Sequence, residues 1–332
     1  MAQKSYPAIV VSVFCLSYNH NQYIRESLDS FIAQKTSFAY EVLIHDDAST
    51  DGTEEIIREY EERHPRIIKP LYEKENQWKM GRQGSLVFNL PRAKGKYIAF
   101  CDGDDKWLDT NKLQKQVDFL EANPTYGLVH TDAAKYDENS GDSLNSINSR
   151  KGIVPPSGWV FEKLLLNNFI CTLTVMVRTE VLKQVKDNLS RFNPPVLNRD
   201  ITIWLELARL AQIHYLPDVT AVYRKREGSV SRSINPEKNL GFSRGGIDIL
   251  MRFQDEYNVK KDLRDRSIFA YIDRHMSVIA CNRAAFLDID EYIRRYKPSS
   301  IINLILKYMY MLKLNPQLAF NLRKRFIKIT AI

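Results

Sequence analysis

The sequence predicts an α/β fold with a mostly parallel sheet covered by helices. Three observations carry this. Short apolar runs alternate with stretches of helical spacing through roughly the first 135 residues. The clearest run, AIVVSVFCL at 8–16, is apolar almost throughout, as a strand buried on both faces must be. Two strand-like runs then end abruptly in acid: YEVLIH runs into Asp46-Asp47, and KYIAFC into Asp102-Gly103-Asp104-Asp105.

The elements follow in order. After 8–16, the stretch NQYIRESLDSFIAQ (21–34) puts Ile24, Leu28, Phe31 and Ile32 on one helical face. YEVLIH (40–45) is the second strand, and Asp51 or Thr53 caps a helix through EEIIREYEERH. RIIKPLY (66–72) is a weaker third strand. GSLVFNLPRA reads as helical until Pro91 turns it. KYIAFC (96–101) is the fourth strand, Asp109 or Thr110 caps NKLQKQVDFLEAN, and TYGLVHTD (125–132) is the fifth strand. Residues 137–158, rich in Ser, Asn, Gly and Pro, read as a long surface loop between two lobes of one domain. FICTLTVMVR (169–178) reads as a strand and ITIWLELARLA (201–211) as an amphipathic helix. From about 240 onward the pattern is mostly helical.

Composition narrows the class. A 44% hydrophobic content with 17 Tyr and 15 Phe among 332 residues excludes a disordered chain and supplies a sizeable core. The N-terminus has no signal-peptide pattern, and no run reaches the roughly 18 apolar residues of a spanning helix. Cys15, Cys101, Cys171 and Cys281 form no CxxC and read as reduced thiols, so a cytoplasmic location is expected. The six histidines show no metal-ligand spacing such as HExxH. The net charge of +8 is uneven, with nine basic residues and no acidic one after Glu291. That asymmetry points to an anionic partner for the C-terminal part.

The acids at the strand ends carry the chemistry. In open α/β sheets ligands bind beyond the carboxyl ends of the strands. If the chain stays extended past KYIAFC, Asp102 and Asp104 face the same way, and Gly103 lets the backbone approach a ligand closely. Like charges this close repel, and Mn²⁺ or Mg²⁺ would offset the repulsion while bridging to phosphate oxygens. Other classes lack their signatures. LSYNHNQY after the first strand has no Gly, against both a dinucleotide fingerprint and the Gly-rich loop of a nucleotidyltransferase. A P-loop GxxxxGK[ST] is absent, and a nucleic-acid-binding role would leave the acids unexplained.

VSVFCLSYN, EVLIHDDASTDGT and GKYIAFCDGDDKW, in this order, resemble the family 2 glycosyltransferases of GT-A fold over about residues 8–232. The resemblance implies an inverting transfer of one sugar from a nucleotide sugar, linked to UDP or another nucleoside diphosphate, to a hydroxyl of a saccharide or lipid-linked acceptor in surface polysaccharide or glycolipid synthesis. The alternatives are a nucleotidyltransferase or an inactive sugar-nucleotide binder. The implied roles are the base for Asp47, the ribose or metal for Asp102 and the metal for Asp104. Tyr18 and Asn19 lie next to the nucleotide, and Arg82 reaches toward the diphosphate. Asp200, before the WLELARL helix, stands where the family carries its general base; an N-cap role is equally natural there. Arg199 replaces a common Glu, and in YRKREGSVS Arg226 stands where the family often has His.

The expected division is a catalytic domain at 1–235 and a helical, basic region at 236–332. The first comprises a nucleotide-sugar half at about 1–135 and an acceptor half at about 155–235. Within the second, IINLILKYMYMLKL (301–314) suits either a helix lying on an anionic membrane surface or one packed on the catalytic domain.

Overall fold

A computed structural model of the chain describes residues 8–82, 84–148, 154–192, 200–226, 236–268 and 270. Residues 301–314, Cys281, Arg199 and the EGSVS that follows Arg226 lie outside the described residues. The chain divides into two compact units, one of residues 1–164 and 168–226 and one of residues 165–167 and 227–332.

The first unit holds one sheet that, among the described residues, has nine strands. They are β1 (Ile9–Ser17), β2 (Ala39–Asp46), β3 (Ile68–Tyr72), β4 (Tyr97–Phe100), β5 (Lys106–Trp107), β6 (Tyr126–Asp137), β7 (Ser143–Leu144), β8 (Met176–Arg178) and β9 (Gln212–Lys225). The order is β3-β2-β1-β4-β8-β6-β9-β5, with β7 on β6. The pairs β1–β2, β1–β4, β2–β3 and β6–β9 are parallel, whereas β8 runs antiparallel between β4 and β6. The parallel registers bring the carboxyl ends of β1, β2 and β4 to one edge, as in Ser17 opposite Asp46 and Phe14 opposite Phe100.

The helices of this unit are α1 (Ile24–Ile32), α2 (Thr53–Arg63), α3 (Ser85–Phe88), α4 (Lys112–Ala122), α6 (Thr179–Leu189) and α7 (Asp200–Leu210), and α5 is Phe161–Leu166. α1 buries Ile24, Leu28 and Phe31 against the sheet, the face its spacing predicts. Phe31 meets Trp107 edge to face at 4.9 Å, and Phe100 meets Trp204 likewise at 5.8 Å, which fixes α7 beside β4. Such aromatic pairs add about 1 kcal/mol beyond the area they bury. Cys15 and Cys101 are buried free thiols, and Cys171 is a free thiol that is partly exposed.

The structure departs from the sequence reading at four places. FICTLTVMVR is a strand only at Met176–Arg178, because a 3-10 turn occupies Thr172–Thr174. TEVLKQVKDNL is helix α6, with Leu182, Val185 and Leu189 inward. QIHYLPDVTAVYRK is the long strand β9, which the sequence reading left unassigned. The stretch 137–158 contains the short strand β7 as well as loop. In the second unit α8 (Pro236–Glu256) is followed by helical residues 261–268, with Gln254 Nε2 bonded to Ser267 Oγ at 2.5 Å and Arg264 paired with Asp255. No helix among the described residues is long and apolar enough to cross a membrane.

Candidate active site

The turns after β1, β2 and β4 lie together because their strands are parallel neighbours. Asn19, at φ 53°, sits in the turn after β1. Its N–H donates to Ser49 Oγ at 2.9 Å, and its side-chain oxygen accepts from Thr50 N at 2.8 Å. Asn19 therefore locks the β1 turn to the β2 turn. Tyr18 beside it is 37% exposed.

At the end of β2, Asp46 accepts from Ser49 N at 3.1 Å and from Ser49 Oγ at 2.6 Å. Asp47 is buried, and its carboxylate accepts from the backbone N–H groups of Gln77 at 2.6 Å and Trp78 at 3.1 Å. Asp47 thus organises the 76–78 loop. Arg82, in the turn that follows this loop, is exposed.

At the end of β4 the chain does not stay extended. Asp105 N donates to Asp102 O at 3.1 Å, so residues 102–105 form a turn, which corrects the expectation of an extended Asp-x-Asp. Gly103 also has a different reason from the one expected. A Cβ there would lie 2.8 Å from Ile24 Cδ1 and 2.9 Å from His20 Nδ1. The glycine lets the acid turn pack on α1, whose Ser27 hydroxyl bonds the carbonyl oxygens of Gly103 at 3.0 Å and Asp105 at 2.5 Å.

Each acid of this turn has a protein donor. Asp102 Oδ1 accepts from Leu16 N at 3.1 Å, and Asp105 Oδ1 from Arg224 N at 2.9 Å. Asp104 Oδ2 accepts from Arg226 Nε at 2.7 Å and lies 3.8 Å from His20 Nε2. Arg226 in turn donates through Nη2 to His20 Nε2 at 2.7 Å. Arg224 pairs with Glu26 at 2.6 Å, which also holds Lys106 at 2.5 Å. Burial pushes the Asp102 carboxyl up to about 8, with the charges of Asp104 and Asp200 adding to it. Asp105 rises for the same two reasons, burial and then Asp104. For Asp104 burial works upward, but the facing His20 and Arg226 outweigh it and hold it below the usual carboxylate range.

Asp200 is the first residue of α7, and its Oδ2 accepts from the Thr172 hydroxyl of the 3-10 turn. The surrounding protein raises its carboxyl, and the Thr172 bond partly offsets this. Its charge reaches Asp102, so the structure brings these two acids into one site although 98 residues separate them. His20, Glu26, Thr172 and Arg224 are members of this network that sequence reasoning missed. Only the proximity of His20 to LSYN gave a signal, since Thr172 and Arg224 come from remote segments.

The divalent cation expected from the sequence does not fit these residues as they stand. Asp104 Oδ2 is taken by Arg226, and among the described residues no group of three or more His, Cys, Asp or Glu is arranged to hold a metal ion.

Comparison with known proteins agrees with this architecture. The family model described as "Glycosyl transferase family 2" matches residues 12–185. Rv1520 of Mycobacterium tuberculosis is 35% identical over 228 residues, 67% of this chain and 61% of that protein, so the chain spans about three fifths of this relative. The Escherichia coli protein WfaP, named a UDP-Glc:alpha-D-GlcNAc-diphosphoundecaprenol beta-1,3-glucosyltransferase, is 30% identical over 223 residues, 67% of this chain and 80% of its own. Among solved structures, the Pyrobaculum calidifontis mannosyltransferase PcManGT, in complex with GDP-Man and Mn²⁺, superposes with a TM-score of 0.51 at 19% identity, covering 94% of this chain and 87% of its own. The fold is GT-A, a mixed α/β sheet flanked by helices, and the chain belongs to the family 2 glycosyltransferases.

Proposed function

We propose that the chain transfers one sugar from a nucleotide sugar, UDP-linked, to an acceptor hydroxyl with inversion at the anomeric carbon. The acceptor would be a saccharide or a lipid-linked glycan of the cell surface, at the cytoplasmic side of the membrane. The observation that carries this is the placement of α7, which begins at Asp200, against the end of β4 through Phe100 and Trp204, with the Asp200 charge acting on Asp102. The names of relatives support it, since WfaP is named for a UDP-Glc donor and a diphosphoundecaprenol acceptor.

In this reading Asp47 and the 76–78 loop it organises flank the base, and Tyr18, Asn19 and Asp102 line the nucleoside. Arg82, in the turn after that loop, would reach the diphosphate. Asp200 takes the proton from the acceptor hydroxyl. The freed oxygen forms a bond to the anomeric carbon, and the bond to the diphosphate breaks with its electron pair leaving on phosphate oxygen. A carboxyl held above its usual range is a stronger base once ionised, and the Thr172 hydroxyl fixes its direction. A cation on Asp102 and Asp104, the Mn²⁺ or Mg²⁺ expected from the sequence, would compete with Arg226 for Asp104.

Turnover of a panel of nucleotide sugars tests the reading, with Asp200→Asn as the diagnostic variant. UDP affinity should persist while transfer falls by about 10²-fold or more, the scale of a lost general base. Transfer by the variant at the wild-type rate would leave Asp200 a structural role only. Binding without turnover by the wild type would point to an inactive sugar-nucleotide binder.

A further inference from the structure

We propose that the Arg226 guanidinium, held by Asp104 and His20, supplies the positive charge for the donor's diphosphate, so that donor binding in this chain needs no divalent cation. The proposal rests on the sugar-nucleotide reading above and deepens it.

The carrying observation is a three-membered contact. Arg226 Nε donates to Asp104 Oδ2 at 2.7 Å, Arg226 Nη2 donates to His20 Nε2 at 2.7 Å, and the guanidinium carbon lies 5.8 Å from the Tyr23 ring centroid. A guanidinium is never an acceptor, so His20 Nε2 must accept and the ring proton sits on Nδ1. His20 is therefore neutral here, in keeping with the burial that lowers its pKa. With His20 neutral, Arg226 is the permanent cation facing Asp104, and the His20 charge that also lowers Asp104 is present only when that ring is protonated. The contact commits two of the five N–H groups of the guanidinium, and its planar fork matches phosphate oxygens bidentately.

The same contact opposes a cation. Mg²⁺ and Mn²⁺ sites of this type use one or two carboxylates with substrate phosphates. Of the three acids in the turn, Asp102 and Asp105 each have an oxygen committed to a backbone N–H, and Asp104 is committed to Arg226. A cation on Asp104 would have to displace a guanidinium of the same sign from a partly buried site. The two charges are alternatives at one carboxylate. Arg226 directly follows β9, the strand that delivers Arg224 N to Asp105, so its place is set by the sheet's end.

The test is calorimetric titration of UDP and GDP into the full chain, with EDTA and with Mn²⁺, beside Arg226→Gln and with thermal melts as the check on folding. The wild type is expected to bind one of the two nucleotides with affinities in the two buffers within about threefold of each other. Arg226→Gln should bind at least about tenfold more weakly in EDTA, and Mn²⁺ should recover part of the loss because Asp104 is now open to it. Wild-type binding that collapses in EDTA and returns with Mn²⁺ overturns the proposal while leaving the sugar-nucleotide reading intact. Arg226→Gln that folds and binds like the wild type in EDTA also overturns it. Absence of binding in both buffers overturns the sugar-nucleotide reading and this inference together, and is recognised by its indifference to metal.

Discussion

At the end of β2, Asp46 and Asp47 are answered by neutral donors: a serine three residues on, and two backbone N–H groups of the loop after β3. At the end of β4, Asp104 is answered by a guanidinium 122 residues away, and Asp102 feels the charges of Asp104 and Asp200. In the sequence the two clusters look alike, each an apolar strand running into aspartates. In the structure one is satisfied by neutral N–H and O–H donors and the other is a concentration of charge balanced by remote charged residues. Neutral hydrogen bonds give a loop its shape, whereas a balanced charge can be exchanged for the charge of a ligand.

The largest effect should come from breaking the charged end. Asp104→Asn removes the anion that anchors Arg226 but keeps a side chain of the same shape. Sugar transfer, followed with a nucleotide sugar identified by the turnover panel, should fall by about 10²-fold, close to 3 kcal/mol of barrier. The melting temperature should move little, because a partly exposed ion pair contributes about 1 kcal/mol or less. A variant that keeps its rate would remove the distinction between the two ends.

The neutral end should respond in the opposite way. Asp47→Ala removes the acceptor of the buried Gln77 N–H and of the partly buried Trp78 N–H, a loss of about 2 kcal/mol. Hydrogen exchange of residues 76–78 should rise, and the melting temperature should drop. If UDP binding vanished while the melt and the exchange stayed at wild-type values, Asp47 would be a ligand-holding residue without an architectural part.

The β1-to-β4 half was legible because its signals are local. AIVVSVFCL, Ile24-Leu28-Phe31 and the strand-end acids each declare themselves within about ten residues, and the parallel arrangement follows from their alternation. The β6-to-β9 half was less legible. β9 carries Pro217 and Asp218 in its middle, and its pairing with β6 shifts register three times, so no period-two pattern survives. FICTLTVMVR reads as a strand by composition, yet Thr174 bonds back to Cys171 through both its N–H and its hydroxyl and turns the chain. The site followed the same rule. Asp47, Asp102, Asp104 and Asp200 could be named from motifs, whereas the answers to their charges, His20 and Arg226 for Asp104 and Thr172 for Asp200, arise only when the sheet closes.

The smallest effect concerns a buried cation behind the charged end. Lys112 opens α4 with its side chain fully buried, its Nζ 2.7 Å from Gln116 Oε1 and 4.5 Å from the Trp107 ring centroid. Burial pushes its pKa down to about 7, against an ordinary value of 10.5. A cation at a helix N-terminus is also opposed by the macrodipole. The sign follows from proton counts. Below pH 7 Lys112 is charged in both the folded and unfolded states, and the folded state bears the full cost of burying it. Between about 7 and 10.5 the unfolded chain holds more protons, so stability rises with pH, and above that range the cost is gone. Lys112→Met removes the cost but leaves Gln116 Oε1 without its donor, which cancels much of the gain. The net should be about 1 kcal/mol, roughly 3 °C in the melt, at pH 6, fading as the pH approaches 10. Gln116 Nε2 still bonds Thr174 O at 2.8 Å, so the 3-10 turn that presents Thr172 to Asp200 keeps its support. A variant that melts below the wild type at pH 6 would show that the cation–π contact with Trp107 and the Gln116 bond outweigh the desolvation, and that this end of the sheet gains from buried charge on both of its sides.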